Sequence, residues 1–284
     1  MITKDTNFLI VGLGLIGGSY ARALSAKGYK VSAIDINTDS LTYAKENGFI
    51  SAGSVAADPI LIKNADLLIF GLYPNAMIQW IKDYQHLFSP GLLITDVSGV
   101  KSGIVDTVQD MLRKDVEFIG SHPMAGREMK GIRNSDPARF LPANFIITPT
   151  DENTQEAVDT VHQLGELLDF AHIVQLSCKE HDEMVGFLSQ LTHAIAVSLM
   201  NCNDNPHLSE YTGDSFRDLT RIAKINEDLW SELFFLNKDV LIQQIDSFSE
   251  ELNHLRQTLA SGEEEALKDM FRQSTRRRKV FDKQ

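Results

Sequence analysis

The stretch Asn7–Ser19 reads NFLIVGLGLIGGS, and its two halves obey different rules. Asn7–Val11 is a short apolar, β-branched run of the kind that forms a buried strand. It passes at once into Gly12, Gly14 and Gly17, the G-x-G-x-x-G spacing, and then into a helical pattern through Lys27. A strand, a glycine turn and a helix in that order bind a dinucleotide. The first glycine allows the tight turn, the second admits a pyrophosphate, and the third lets helix pack on strand, while the helix N-terminus stabilises the anion.

Working outward, Tyr29–Ile34 reads as a second strand ending in Asp35, twenty-three residues after Gly12. A carboxylate there accepts hydrogen bonds from a ribose 2′-hydroxyl and repels a 2′-phosphate. No arginine follows in Asp35–Thr38 to receive such a phosphate, so the cofactor expected is NAD. Thr38 and Asp39 read as the caps of the next helix. Further strands are expected at Ala65–Phe70, Leu92–Thr95, Val116–Ile119, Asn144–Thr148 and His172–Leu176, with helices between them. Alternation of this kind implies α/β architecture, a doubly wound and mostly parallel sheet.

Two loops follow strand ends, where ligands bind in such sheets. One is Asp96–Ser102 (DVSGVKS), expected beside the nicotinamide. The other, in Ile119–Gly131 (IGSHPMAGREMKG), presents His122 between Gly120, Pro123 and Gly126. A neutral imidazole, with an ordinary pKa near 6.5, is suited to take a hydroxyl proton.

The boundary to a second, all-helical part is expected near Ser177, giving domains of 1–176 and 177–284. From Ser177 to Met200 the pattern is one long helix with Val185, Leu188, Leu191 and Ile195 on its apolar face. Asp182, Gly186, Ser189 and His193 form a second stripe, the expected wall of a cleft. Arg217 and Arg221 are four apart on Ser215–Lys224, and Asn226 is read as the cap of the helix after it. Leu241, Ile245, Phe248, Leu252, Leu255 and Leu259 recur at 4-3-4-3-4, a seam suited to a subunit interface.

The net charge of −12 speaks against nucleic-acid partners. No apolar run is read as a membrane span and Met1–Thr6 lacks the features of a secretory leader. Cys178 and Cys202 fall near opposite ends of one expected helix, too far apart to pair. A cytoplasmic location is expected. The sequence offers no metal-ligand spacing.

With GLGLIGGS at 12–19, DVSGVKS at 96–102, GSHPMAG at 120–126, HDEMVGFLSQLTH at 181–193 and FRDLTRIA at 216–223, the chain resembles the prephenate/arogenate dehydrogenase family. The resemblance implies a Rossmann-type domain, a helical dimerisation domain, a homodimer, and oxidative decarboxylation of prephenate or arogenate with NAD. It implies that His122 is the catalytic histidine, that Arg221 holds a substrate carboxylate, and that Ser189 and His193 line the pocket. Gly12, Gly14, Leu15, Ile16, Gly17, Asp35 and Lys101 are the expected cofactor contacts, with Arg127 or Lys101 assisting at the substrate. The family often carries a serine where this chain has Gly99, which leaves Ser98 as the candidate for that serine's hydrogen bond and for a catalytic contact beside His122. It commonly has a histidine at Gln190 and threonine or serine at Arg127. Two other readings fit the bare residues: a Rossmann dehydrogenase of hydroxy acids, and an NAD-binding sensor without catalysis.

Overall fold

The computed structural model describes residues 1–281. Its eight strands lie in the order β3-β2-β1-β4-β5-β6-β7-β8. They are β1 Asn7–Val11, β2 Lys30–Ile34, β3 Ala52–Ser54, β4 Leu67–Phe70, β5 Leu93–Asp96, β6 Glu117–Pro123, β7 Asn144–Thr148 and β8 His172–Gln175. Every pairing is parallel except that of β6 with β7. The helices woven through the sheet are α1 Leu15–Ala26, α2 Thr38–Glu46, α3 Pro59–Lys63, α4 Pro74–Tyr84, α5 Ile104–Met111 and α6 Gln155–Leu167.

The strand alternation builds a core on each side of this sheet. Phe8 and Ile10 of β1 join Val31, Leu67, Ile69 and Leu24 on one face, whereas Leu9 and Val11 join Leu68, Phe70, Met77 and Val108 on the other. All are buried, and each such side chain contributes roughly 1.5–3 kcal/mol of burial. Strands buried on both faces explain the continuous apolar runs in the sequence.

After β8 the chain is helical: α7 Cys178–Val185, α8 Thr192–Asn201, α9 Leu208–Tyr211, α10 Asp214–Thr220, α11 Glu227–Leu236, α12 Lys238–Ser261 and α13 Glu264–Arg278. The expected single helix from Ser177 is interrupted. Gly186–Leu191, between α7 and α8, is π-helical, and one wider turn re-phases every side chain after it. Leu188, within this turn and expected on the apolar face, is exposed, while Asp182, Gly186 and Gln190 face inward. Gly186 has no room for a side chain: a Cβ there would come within 2.7 Å of Val240 Cγ1 on α12.

Among the described residues one helical run, Cys178–Asn201, is long and apolar enough to cross a membrane by length and composition, which the sequence reading did not anticipate. Its His181, Asp182 and Gln190 are buried on protein partners. The short β3 and α3 were not foreseen either. Asn37, not Thr38 or Asp39, caps α2 by accepting from the Ser40 amide. At Asn226 the side chain makes no cap hydrogen bond and instead donates to the Tyr73 hydroxyl.

Candidate active site

The glycine turn after β1 has the shape its sequence requires. Gly12 sits at φ +98°, and a Cβ there would approach Gly71 O to 2.7 Å; one on Gly17 would collide with Gly12 O. Above Gly14, by contrast, a Cβ would find nothing within 4 Å. The turn is closed where it packs and open where a pyrophosphate would approach. Leu15 and Ile16 form the first turn of α1. Asp35 is fixed by both oxygens, which accept the amides of Leu13 at 2.5 Å and Asn37 at 2.7 Å. These residues fit a dinucleotide with free ribose hydroxyls.

His122 lies not in a loop but within β6. The parallel pairing of β6 with β5 ends at Ile119, after which β6 continues alone against antiparallel β7, with His122 opposite Ile146. The imidazole therefore stands beyond the carboxyl end of β5 on a backbone still held by a sheet.

Behind it the loop after β5 is pinned by a buried ion pair. Lys101 Nζ donates to Asp96 at 2.6 and 2.7 Å and to the Ser121 carbonyl at 2.7 Å, with both charged side chains fully buried. All three ammonium donors are thus taken, so Lys101 braces the loop rather than reaching a cofactor or substrate. Burial pushes its pKa below the ordinary value and Asp96 opposes that. Removing one partner of such a pair costs on the order of 3–5 kcal/mol. The amide of Ser98 also donates to Asp96. Its buried hydroxyl has no partner among the described residues and makes no bond to His122. Gly99 is the residue against the imidazole: a Cβ there would lie 3.8 Å from His122 Nε2.

The other side of the cleft comes from the helical part. His122 Nδ1 is 2.9 Å from His181 Nε2, and His181 Nδ1 is 2.7 Å from Asp182 Oδ1. Asp182 in turn accepts the amides of Lys101 at 2.8 Å and Ser102 at 2.7 Å, with His181 and Asp182 both buried. The amide-bonded carboxylate is held below its ordinary pKa, its own burial being outweighed by His181 and Ser102. Burial, then the His181 ring, then the Lys101 charge hold His122 well below 6.5, so it is neutral at physiological pH. Gln190, where relatives commonly have histidine, donates to Leu233 O at 3.0 Å and accepts from Asn237 Nδ2 at 2.8 Å. That places it in the packing between helices.

His193 Nδ1 is 2.8 Å from Ser189 O, and its ring stacks on Trp230 with centroids 3.7 Å apart. Arg221 is exposed and pairs through Nη1 with Glu128 Oε1 at 2.6 Å. Arg217, expected to share its face, instead pairs with Asp214, because α10 gives way to a 3-10 turn at Arg221. Arg127 is exposed with no hydrogen bond or ion pair among the described residues. His181, Asp96, Glu128 and Trp230 were not singled out from sequence. The adjacent His181-Asp182 pair at a helix start was a visible signal for the first; Glu128 and Trp230 had none.

A dinucleotide cradle, a neutral strand-end imidazole and a helical wall carrying an arginine define a nicotinamide-dependent dehydrogenase of the Rossmann type. Residues 20–174 match the family model described as prephenate dehydrogenase, nucleotide-binding domain, and 177–273 the one described as prephenate dehydrogenase, dimerization domain. The chain is 30% identical to the prephenate dehydrogenase of Bacillus subtilis (strain 168), over 95% of this chain and 73% of that one. It is 27% identical to the cyclohexadienyl dehydrogenase of Zymomonas mobilis, over 98% and 96%. A solved prephenate dehydrogenase of A. aeolicus, in complex with hydroxyphenyl propionate and NAD+, superposes with a TM-score of 0.90 at 28% identity, covering 99% of this chain and all of that one. The chain belongs to the prephenate dehydrogenase family.

Proposed function

We infer that the protein catalyses the NAD-dependent oxidative decarboxylation of prephenate to 4-hydroxyphenylpyruvate and CO2, a step of tyrosine biosynthesis. The observation that carries this reading is His122, a neutral imidazole whose Nε2 has no hydrogen-bond partner among the described residues. Family membership and the name of the Bacillus relative support the choice of substrate.

When bound, NAD supplies the acceptor for the hydride that leaves the hydroxyl-bearing ring carbon. Gly12, Gly14, Leu15, Ile16, Gly17 and Asp35 would hold it. His122 Nε2 takes the proton of that ring hydroxyl as the carbon is oxidised. Loss of the ring carboxylate as CO2 then returns its bonding electrons to the ring, the oxygen recovers the proton from His122, and the ring is aromatic. The proton is borrowed, and the driving force lies in the substrate.

Orientation is the larger task for the protein. Arg221 would exchange Glu128 for a substrate carboxylate, which a guanidinium binds bidentately. Ser189 and His193 would line the pocket, with Arg127 at its rim. Ser98 is retained as a contact to the reacting groups because its buried hydroxyl has no partner among the described residues.

The reading includes a division near Ser177, supported by two family models that meet at residues 174 and 177. It also includes a homodimer formed through the helical part, supported by the dimerisation model and the exposed seam on α12. A cytoplasmic location is supported by the two free thiols, Cys178 and Cys202. Initial-rate NADH formation with prephenate and arogenate side by side tests the whole. A kcat/KM higher for prephenate is expected; a preference for arogenate would change the substrate, and turnover of neither would refute the reaction.

A further inference from the structure

The wall of the site facing His122 has more structure than a pocket lining needs. Asp182, whose carboxylate already accepts two backbone amides, is acceptor-only. His181 Nδ1, 2.7 Å away, must therefore be the donor in that contact. Burial holds His181 below its ordinary pKa, against the opposing pull of Asp182, and a neutral imidazole carries a single N–H, so His181 Nε2 is an acceptor. The nitrogen 2.9 Å from it, His122 Nδ1, must then carry the proton. By elimination His122 Nε2 holds a lone pair, on the edge of the ring that faces Gly99.

We propose that His181 and Asp182 are positioning residues that fix His122 in the Nδ1–H tautomer, with Nε2 presented as the base. The proposal rests on His122 being the proton acceptor of the reaction inferred above. It assigns a further task once that proton has arrived: the imidazolium charge on His122 is met, through the His181 ring, by the buried carboxylate of Asp182. The chain crosses between the two parts of the molecule, since His122 stands on β6, His181 and Asp182 on α7, and the amides holding Asp182 on the loop after β5. Docking of α7 on the sheet therefore sets the tautomer of the catalytic ring. Asn237, between α11 and α12, holds α7 to the neighbouring helices by donating to the Asp182 carbonyl at 3.0 Å.

The test is imidazole nitrogen-15 NMR of the full-length protein labelled at histidine, with His122→Asn used to assign the His122 signals. Tautomers are read directly, because protonated and bare ring nitrogens resonate far apart. The unsubstituted protein is expected to show protonated Nδ1 and bare Nε2 on His122. In His181→Leu, which removes the acceptor, a share of Nε2–H tautomer should appear. There kcat with prephenate should fall about 10²-fold, within the range for proton-transfer groups, with KM for prephenate and the Kd for NAD within about threefold of their original values. His181→Gln, which keeps a carbonyl oxygen within reach of His122 Nδ1, should recover about tenfold of that loss.

A bare Nδ1 in the unsubstituted protein overturns the proposal without any variant having to fold. So does a His181→Leu enzyme with unchanged kcat, or a His181→Gln enzyme no better than His181→Leu. Inactivity of the unsubstituted protein on prephenate, alongside the expected tautomer, would instead refute the reaction while supporting the tautomer assignment.

Discussion

At the scale of single residues the site is governed by desolvation. His122, His181 and His193 are each held below the ordinary pKa of 6.5, with burial the largest cause in all three. In the unfolded chain these rings take up protons as pH drops below about 6.5, whereas in the folded protein they resist. The unfolded state therefore binds more protons in that window, and stability is fully present above pH 6.5 and lost as pH falls below it. Thermal melts between pH 7.5 and 5 should show a falling Tm that is shallower in His122→Asn; an unchanged slope would contradict the burial argument. The same shift predicts that the acid limb of kcat lies below pH 6.5. Arg221 belongs to a different regime, being exposed and paired with Glu128. Its replacement by alanine should raise KM for prephenate by about tenfold to a hundredfold, the range for a hydrogen bond to a charged group, with kcat changing much less. An unaltered KM would remove it as a carboxylate clamp.

At the scale of elements the informative feature is the π-helical turn Gly186–Leu191. It lies between His181 and His193 and rotates the second relative to the first, so the 4-3-4 stripe of Asp182, Gly186, Ser189 and His193 does not describe one straight α-helical face. Gly186→Ala should push α12 from α7 through Val240 and lower stability by about 1–3 kcal/mol, measurable by denaturant unfolding; an unchanged midpoint would show that the helices can give. This element also shows what a sequence reveals and what it conceals. The cradle at Gly12–Gly17 and, to within a residue, the carboxyl ends of β1, β2, β4, β5, β7 and β8 were legible because local spacing dictates them. His122 was misread as a loop residue because the continuation of β6 depends on β7, more than twenty residues away. A π turn leaves no periodic mark, since one extra residue merely shifts the pattern. Lys101 was read as a ligand contact because its charge is visible in sequence and its burial on Asp96 is not. Ser98 was offered in place of the family serine at Gly99, and sequence could not show that Gly99 itself packs on the imidazole, because the turn geometry of this loop comes from the Asp96 carboxylate.

At the scale of the whole molecule the helical part does two jobs, closing the cleft and offering a surface. On α12 the seam residues Ile245, Phe248, Leu252 and Leu259 are 37%, 38%, 55% and 59% exposed, more apolar area than a lone helix keeps in water without a use. Phe248→Asp combined with Leu252→Asp should turn a dimer into a monomer by light scattering, while NAD affinity stays close to its original value; a persistent dimer would move the interface elsewhere. The proposed reaction would draw on both parts, with the hydride acceptor held on the sheet side and a substrate carboxylate met by Arg221 on the helical side. The central claim, that this cleft couples oxidation to decarboxylation through His122, is tested most directly by measuring NADH and CO2 together from NAD and prephenate, for the unsubstituted protein and for His122→Asn. Equal amounts of both products are expected, and a variant that binds NAD normally with kcat reduced about 10²–10⁴-fold. NADH without CO2, or a variant that turns over at the original rate, would contradict it.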